Sequence, residues 1–283
     1  MNSRLGNLIG LIFYKVFSFF DKIIFVILRR SPILYLNDKL FDKVLNNNGY
    51  KFVTPNATTY FRAKTLFTKE EETIEWINSF EVNSVFWDIG ANIGLYSVYA
   101  AKHKNCDVFS FEPSPLNLKC LSRNICANNL TDKIFIIPNA LSNKANLFAN
   151  FKENSNIDGS ALNTFGVKYD YQGKIFKKRN YNFKILGTSI DYILKTNKNI
   201  LLPDYVKIDV DGIEHLILNG GLSLVSNPKV KEFQIEVSEN FKEQKNTILK
   251  IMKDNGFSLK SKRSSLKGVV NNEYLTRNYL FIR

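Results

Sequence analysis

Little in this chain suits it to bind a transition metal, to be secreted with disulfides or to cross a membrane. It has three cysteines, Cys106, Cys120 and Cys126, with no C-x-x-C pair and one left over. That pattern excludes a disulfide framework and indicates reduced thiols in a reducing compartment, the cytoplasm. With only two histidines, His103 and His215, no zinc site can be assembled. Long apolar runs are missing too. The longest uncharged stretch near the start, Leu5 to Tyr14, is too short to span a bilayer, and Arg29-Arg30-Ser31-Pro32 supplies no cleavage site for a secretory signal. Acids are scarce beside bases, 26 against 39, for a formal charge of +13. An excess of that size suits a nucleic acid or an anionic membrane. It is spread along the chain, however, and an Asn-, Ile- and Phe-rich composition points equally to codon bias.

The chain is organised around Val85–Gly94, VFWDIGANIG. Val85-Phe86-Trp87 is a short apolar run that predicts a buried strand. Asp88, Gly90, Asn92 and Gly94 make a turn, and Leu95–Ala101 suits a packed helix. Strand, glycine-rich turn and helix bring backbone N–H groups and a helix N-terminus close to a ligand. The dinucleotide spacing G-x-G-x-x-G is missing, and Asp88 stands where a pyrophosphate would approach. A carboxylate there repels phosphate and attracts an ammonium group. S-adenosylmethionine carries an ammonium, a sulfonium and no phosphate. Asp107–Phe111 predicts the next strand, ending at Glu112, where an acid can take ribose hydroxyls.

Around this centre the expected order is simple. Residues 1–30 predict one or two amphipathic helices, with aromatics on one side and cations on the other, ended by Pro32. They either lie in a membrane interface or pack over the main body or a partner, and packing is the favoured expectation. A short helix Asn37–Leu45 and an extended pair, Tyr50–Val53 with Thr58–Phe61, follow. Thr68 is expected to cap a helix whose first turn holds Glu70, Glu71 and Glu72. From Val85 strands and helices alternate: strands 85–88, 107–111, 134–138, 204–208 and 231–237, helices 94–103, 115–128, 189–196, 213–218 and 241–255, and a closing antiparallel pair near 257–259 and 278–282. This predicts an α/β, Rossmann-like, mostly parallel seven-stranded sheet with helices on both faces. A polar stretch, 145–187, interrupts it; insertions this long are functional or disordered.

Three blocks carry a family likeness: VFWDIGANIGLYSVYAA (85–101), VFSFEPSPLNLKCLSRNI (108–125) and VKIDVDGIEHLIL (206–218). With them the chain resembles the FkbM-type family of class I methyltransferases over about residues 70–240. The resemblance implies a methyltransferase domain at 70–283 behind an appendage at 1–69, with 145–187 as a candidate lid over the acceptor. It implies S-adenosylmethionine as methyl donor and O-methylation of a sugar, glycan or other small-molecule hydroxyl. The first block (Asp88, Gly90, Asn92, Gly94) would cradle the methionine part, Glu112 the ribose, and Asn139-Ala140-Leu141-Ser142 the adenine. The family usually has Glu where this chain has Asp211.

Asp209 falls at the carboxyl end of a core strand, where open α/β sheets bind ligands, so it joins the cofactor set as well as the catalytic one. Asp211, Glu214 and His215 follow within six residues. A hydroxyl needs a base or a cation to help remove its proton, so these four, with Glu236 at the end of the next strand, are the catalytic candidates. Asp209, Asp211 and Glu214 also leave a divalent cation open, with its ligands unassigned. Capping and core packing are the alternative roles of these residues. RNA or DNA is disfavoured as acceptor, because Asp209-Val210-Asp211-Gly212 offers no Asn/Asp-Pro-Pro-aromatic platform for a flipped base. The basic runs 174–179 and 260–267 keep that reading alive, and a noncatalytic adenosylmethionine-binding scaffold is the third. Self-association is left open.

Overall fold

Helix α1, Ser3–Leu28, is one continuous helix. The computed structural model describes residues 3–28, 31–33, 35, 43–176, 181–264 and 276–283. The helix expected at 37–45 lies mostly outside these residues, and its end, Val44-Leu45, is strand. Parts of both basic runs also fall outside. Contrary to the expectation of packing over the main body, α1 is not buried against the rest of the described chain: Phe13, Phe17, Phe20 and Val26 are 60, 52, 56 and 75% exposed.

A hairpin comes next, β1 (Val44–Asn47) against β2 (Tyr50–Val53). The segment 58–61 does not extend the hairpin; it lies in helix α2, Ala57–Lys64. The reason is a capping box. Asn56 Oδ1 accepts the Thr59 N–H at 2.9 Å, and the Asn56 N–H reaches Thr59 Oγ1 at 3.3 Å, satisfying the donors that a helix start leaves unpaired. Helix α3, Glu71–Asn78, starts without a side-chain cap, since the Thr68 hydroxyl bonds back to the Thr65 carbonyl instead.

The core then alternates as expected: β3 (Val85–Ile89), α4 (Leu95–Lys104), β4 (Asp107–Phe111), α5 (Pro115–Ala127) and β5 (Ile134–Ile137). After β6 (Ala140–Leu141), β7 (Leu147–Glu153), β8 (Thr164–Phe165) and β9 (Tyr181–Thr188) come α6 (Ile190–Thr196), β10 (Tyr205–Ile208), α7 (Glu214–Asn219) and α8 (Leu222–Val225). The chain closes with β11 (Glu232–Ser238), α9 (Lys242–Asp254), β12 (Ser258–Ser264) and β13 (Thr276–Ile282). The main sheet has seven strands in the order β12-β13-β11-β10-β3-β4-β5. Only β13 runs against the direction of the other six strands. The chain leaves β3 for β4 and β5 on one side, then returns to β10 and β11 on the other, so β3/β10 is the switch point where such sheets open a crevice.

The stretch 145–187 is neither loop nor plain lid. β7, β8 and β9 join β6 in a second sheet, ordered β6-β9-β7-β8. Alternation along β7 is visible once it is sought: Phe151 and Glu153 are buried, while Phe148 and Asn150 are exposed.

Period-two alternation divides the core between the faces of the main sheet. Val85, Trp87 and Ile89 join Val206, Ile208, Phe233 and Ile235 on one face, while Phe86 and Val108 meet Trp76, Phe80 and Val98 on the other. Asp88 and Lys207 take the second face, directly opposite each other in register, flanked by Ser110 and Gln234. All four are at least 98% buried. A polar row therefore crosses four parallel strands just beneath their carboxyl ends, covered by α3 and α4.

Candidate active site

The crevice at the switch point holds a cavity of about 270 Å³. Its floor is the glycine turn, Gly90 to Ile93. A Cβ on Gly90 would stand 1.9 Å from the Asp209 carbonyl oxygen, and φ there is +88°, so only glycine lets the end of β10 approach the turn this closely. Glu112 leaves β4 on one wall, Asn139 to Leu141 close the far side, and Asp209, Asp211 and Glu236 stand at the ends of β10 and β11.

Several lining residues were not foreseen. Arg62, Thr65 and Lys69 come from the appendage, Glu70 from the start of α3, Tyr96 from α4, Asn117 from α5, and Ser160 to Phe165 from the second sheet and its loop. That loop is tied by its backbone. The Ser160 carbonyl accepts from Asn92 Nδ2 at 2.9 Å and Asn117 Nδ2 at 3.2 Å. The Gly159 carbonyl accepts from Arg62 Nε at 2.7 Å, and the Leu162 N–H donates to Asp211 Oδ2 at 2.7 Å. A helix cap at Asn56 was the one sequence signal that could have brought Arg62 to this site.

The expected residues divide. Gly90, Asn92, Glu112, Asn139, Ala140, Asp209, Asp211 and Glu236 line the cavity. Gly94 sits behind the turn as the left-handed start of α4. Asp88 does not line it: strand alternation turns its carboxylate under α4, where Oδ2 accepts from Ser97 Oγ at 2.6 Å. Its other oxygen is buried with no hydrogen-bond partner among the described residues. Burial raises the Asp88 pKa above the ordinary value, with Lys207 acting against the shift.

Glu214 and His215 also lie off the wall. The Glu214 carboxylate turns back into its own loop, accepting the N–H groups of Val210 and Gly212 at 3.1 Å each and the side chain of Gln244. Burial raises its pKa to about 7. His215 is 96% buried and meets Phe241 edge-on, and burial lowers its pKa. Neither geometry reaches a ligand in the cavity. The sequence brought four proton acceptors within seven residues, and the helix start at Glu214 turns two of them away.

The acids that remain differ in protonation. Burial opposes the charge of Asp209, but Lys207 Nζ, 2.6 Å from its Oδ2, holds its pKa below the ordinary value. Burial and then Asp209 raise Asp211 to about 6. Glu236 is raised well above the ordinary range by burial and then by Asp209 and Asp211. Glu112 is raised by burial to about 7, although the Asn92 and Ser114 N–H groups donate to it at 2.8 Å each. Asp209, Asp211 and Glu236 each place one oxygen within 4.8 Å of the others, so these three, rather than a set including Glu214, could hold a divalent ion.

The donor set decides which organic ligand fits. Five carboxyl groups on the wall, Glu70, Glu112, Asp209, Asp211 and Glu236, suit hydroxyls and a cationic head. A pyrophosphate would meet the ionised Asp209 and Asp211 as like charges, with Arg62 and Lys69 the nearest cations on the wall. S-adenosylmethionine therefore fits these residues, and its cationic head suits them better than a pyrophosphate.

The family model for the methyltransferase FkbM domain matches residues 88–259. The chain is 27% identical over 159 residues to the methyltransferase sdnD of Sordaria araneosa, covering 49% of this chain and 60% of that relative. It thus spans less than two thirds of that relative's length. Among solved structures, the methyltransferase FkbM of Methylobacillus flagellatus superposes with a TM-score of 0.46 at 16% identity, covering 88% of this chain and 58% of that one. The TYW2 protein of M. jannaschii, solved with AdoMet, gives 0.47 at 14% identity over 86% and 87%.

Proposed function

From a chain that belongs to the FkbM methyltransferase family, we propose an enzyme that moves a methyl group from S-adenosylmethionine to a hydroxyl oxygen of a sugar, glycan or other small molecule. The observation that carries the reading is the acid-lined crevice at β3/β10, where Glu112 and the Asp209–Asp211 pair face one cavity.

S-adenosylmethionine, when bound, supplies a methyl group on a positively charged sulfur, which leaves as a neutral thioether and needs no acid. The protein has two remaining tasks, alignment of the acceptor oxygen and removal of one proton. Glu112 would hold the ribose diol, since each carboxylate oxygen still has acceptor capacity beyond its N–H partner. Asn139 to Leu141 would border the adenine, and Asp209, held ionised by Lys207 at the end of β10, would face the ammonium. Asp211 is the proton acceptor: a carboxylate raised to about 6 is a stronger base than an ordinary one and is still ionised at neutral pH. Asp209, anchored to Lys207, positions the acceptor. The loop Ser160 to Phe165 forms part of the cavity wall, which suits a compact acceptor better than a base flipped from a nucleic acid.

Calorimetry and single-turnover methylation over a panel of hydroxyl acceptors test this. Glu112→Ala should weaken S-adenosylmethionine binding by about 1.5–3 kcal/mol. Asp211→Asn should leave binding nearly unchanged while lowering methyl transfer by about 10²–10⁴-fold. Wild-type activity should rise with pH through about 6 as Asp211 ionises. Binding of a nicotinamide dinucleotide in place of S-adenosylmethionine would sink the proposal.

A further inference from the structure

Helix α1 has no role in the crevice, and its composition asks for a partner. Thirteen of the 19 residues from Leu8 to Val26 are large apolar side chains at least 44% exposed. Lys15, Ser18 and Lys22, three and four residues apart, fall on one stripe with Leu11. Ile9, Ile12, Val16, Phe20 and Ile23 repeat at the same spacing on the opposite side. The helix has one acid, Asp21, whose carboxylate is engaged by the Ser31 hydroxyl at 2.8 Å and the Ile33 N–H at 2.8 Å. Five cations stand against that acid in residues 1–30.

We propose that α1 is an interfacial helix that seats this chain on an anionic lipid surface, lying along it. Among the described residues no helix is long and apolar enough to cross a membrane, so a flat pose is the one open to it. Its 26 residues would extend about 39 Å in the headgroup plane. Two features favour lipid over a second copy of the chain. A helix pair buries a narrow seam of two positions in seven, whereas here apolar side chains cover all but the lysine stripe. Six of them are aromatic, Phe13, Tyr14, Phe17, Phe19, Phe20 and Phe25, pointing to several sides, as an interface that surrounds most of the helix accepts. The cations add attraction to anionic headgroups, and Asp21, already bonded by Ser31 and Ile33, opposes them little.

The test is co-sedimentation of the full chain with vesicles of phosphatidylglycerol mixed with phosphatidylcholine, and with phosphatidylcholine alone. The chain should pellet with the anionic vesicles, and raising salt from 0.1 to 0.5 M should release part of it. Lys15→Gln with Lys22→Gln should lower partitioning by about 25-fold, about fivefold for each lysine. Val16→Asp with Phe20→Asp should abolish it. Calorimetry with S-adenosylmethionine verifies that each variant is folded, since α1 lies outside the cavity. Undiminished vesicle binding by the aspartate variant would overturn the proposal. So would a chain that ignores vesicles yet sediments as a dimer which those aspartates dissociate, because the occupant would then be a second copy. Equal binding to both vesicle types would overturn the anionic part.

Discussion

Replacing Lys207 with methionine should destabilise this protein in a pH-dependent way, although the stem and its volume are kept. Lys207 is 2% exposed, with Nζ 2.6 Å from Asp209 Oδ2 and 5.1 Å from the centre of the Tyr96 ring. Burial works against its charge, yet Asp209, Glu70 and Asp88 together hold its pKa above the usual lysine value. Removing one partner of a wholly buried pair costs about 3–5 kcal/mol, because the other charge is left uncompensated. The Asp209 side chain keeps a quarter of its surface in solvent, so about 2–4 kcal/mol is expected here.

The sign with pH follows from the acids that remain. Asp211 and Glu236 already sit above their ordinary values, and without the ammonium Asp209 would rise to join them. The folded chain would then hold protons that the unfolded chain has released. Its unfolding free energy would fall as pH rises, so the penalty should be larger at pH 8 than at pH 5.5. Urea unfolding at both pH values measures it. Lys207→Met with Asp209→Asn removes both charges and should recover about 1–3 kcal/mol relative to the sum of the single losses. A penalty equal at both pH values, or strictly additive losses, would refute the reasoning.

Three further outcomes follow from neighbouring geometry. Gly90→Ala should lose at least about 2 kcal/mol in thermal unfolding, since a left-handed non-glycine residue costs about 1–2 and the new Cβ meets the Asp209 carbonyl; cofactor affinity should fall with it, and a stable variant with normal binding would show that the turn is looser than described. Glu214→Gln should flatten the pH dependence of stability. A buried carboxyl raised to about 7 gives stability that is full below the unfolded value and lost as pH rises through 7, about 3 kcal/mol in all, so an unchanged slope in urea titrations would contradict the burial argument. Asn124→Ala should cost about 2–4 kcal/mol by chemical denaturation, because its amide accepts from Val53 N at 2.6 Å and donates to the Ile93 carbonyl at 2.7 Å, leaving two buried backbone groups unpaired.

Much of the sheet was legible because local pattern and fold agree there. The apolar run before Asp88, the prolines after Glu112 and the closing strand pair each belong to one element and one neighbour. What was missed depends on contacts between distant elements. Lys207, in Val-Lys-Ile-Asp, looks like the solvent-facing position of an alternating strand, but a parallel strand covered on both faces buries it. Glu70 suited a helix dipole argument, and in the fold it accepts from the Thr73 hydroxyl and lines the cavity. The 57–64 segment alternates Thr, Tyr and Phe enough to suggest a strand. The Asn56 and Thr59 side chains, three apart, outweigh that weak preference by pairing the first N–H groups of a helix.

The block from Val206 to Leu218 shows why closeness in sequence cannot assign chemistry by itself. Four groups able to take a proton lie within seven residues, yet backbone direction separates them. Asp209 follows the strand into the crevice, and Asp211, at φ +62°, turns its carboxylate to the Leu162 N–H on the same wall. Glu214 is spent on holding that turn, through Val210, Gly212 and Gln244. The Glu214 carboxylate is thus what keeps Asp211 in a conformation that side chains rarely adopt, and Lys207 is what keeps Asp209 ionised beside it. Asp209 in turn helps raise Asp211 toward 6. Loosening Glu214 would therefore alter the acid–base behaviour of the crevice from behind its wall, through the backbone of Val210 and Gly212.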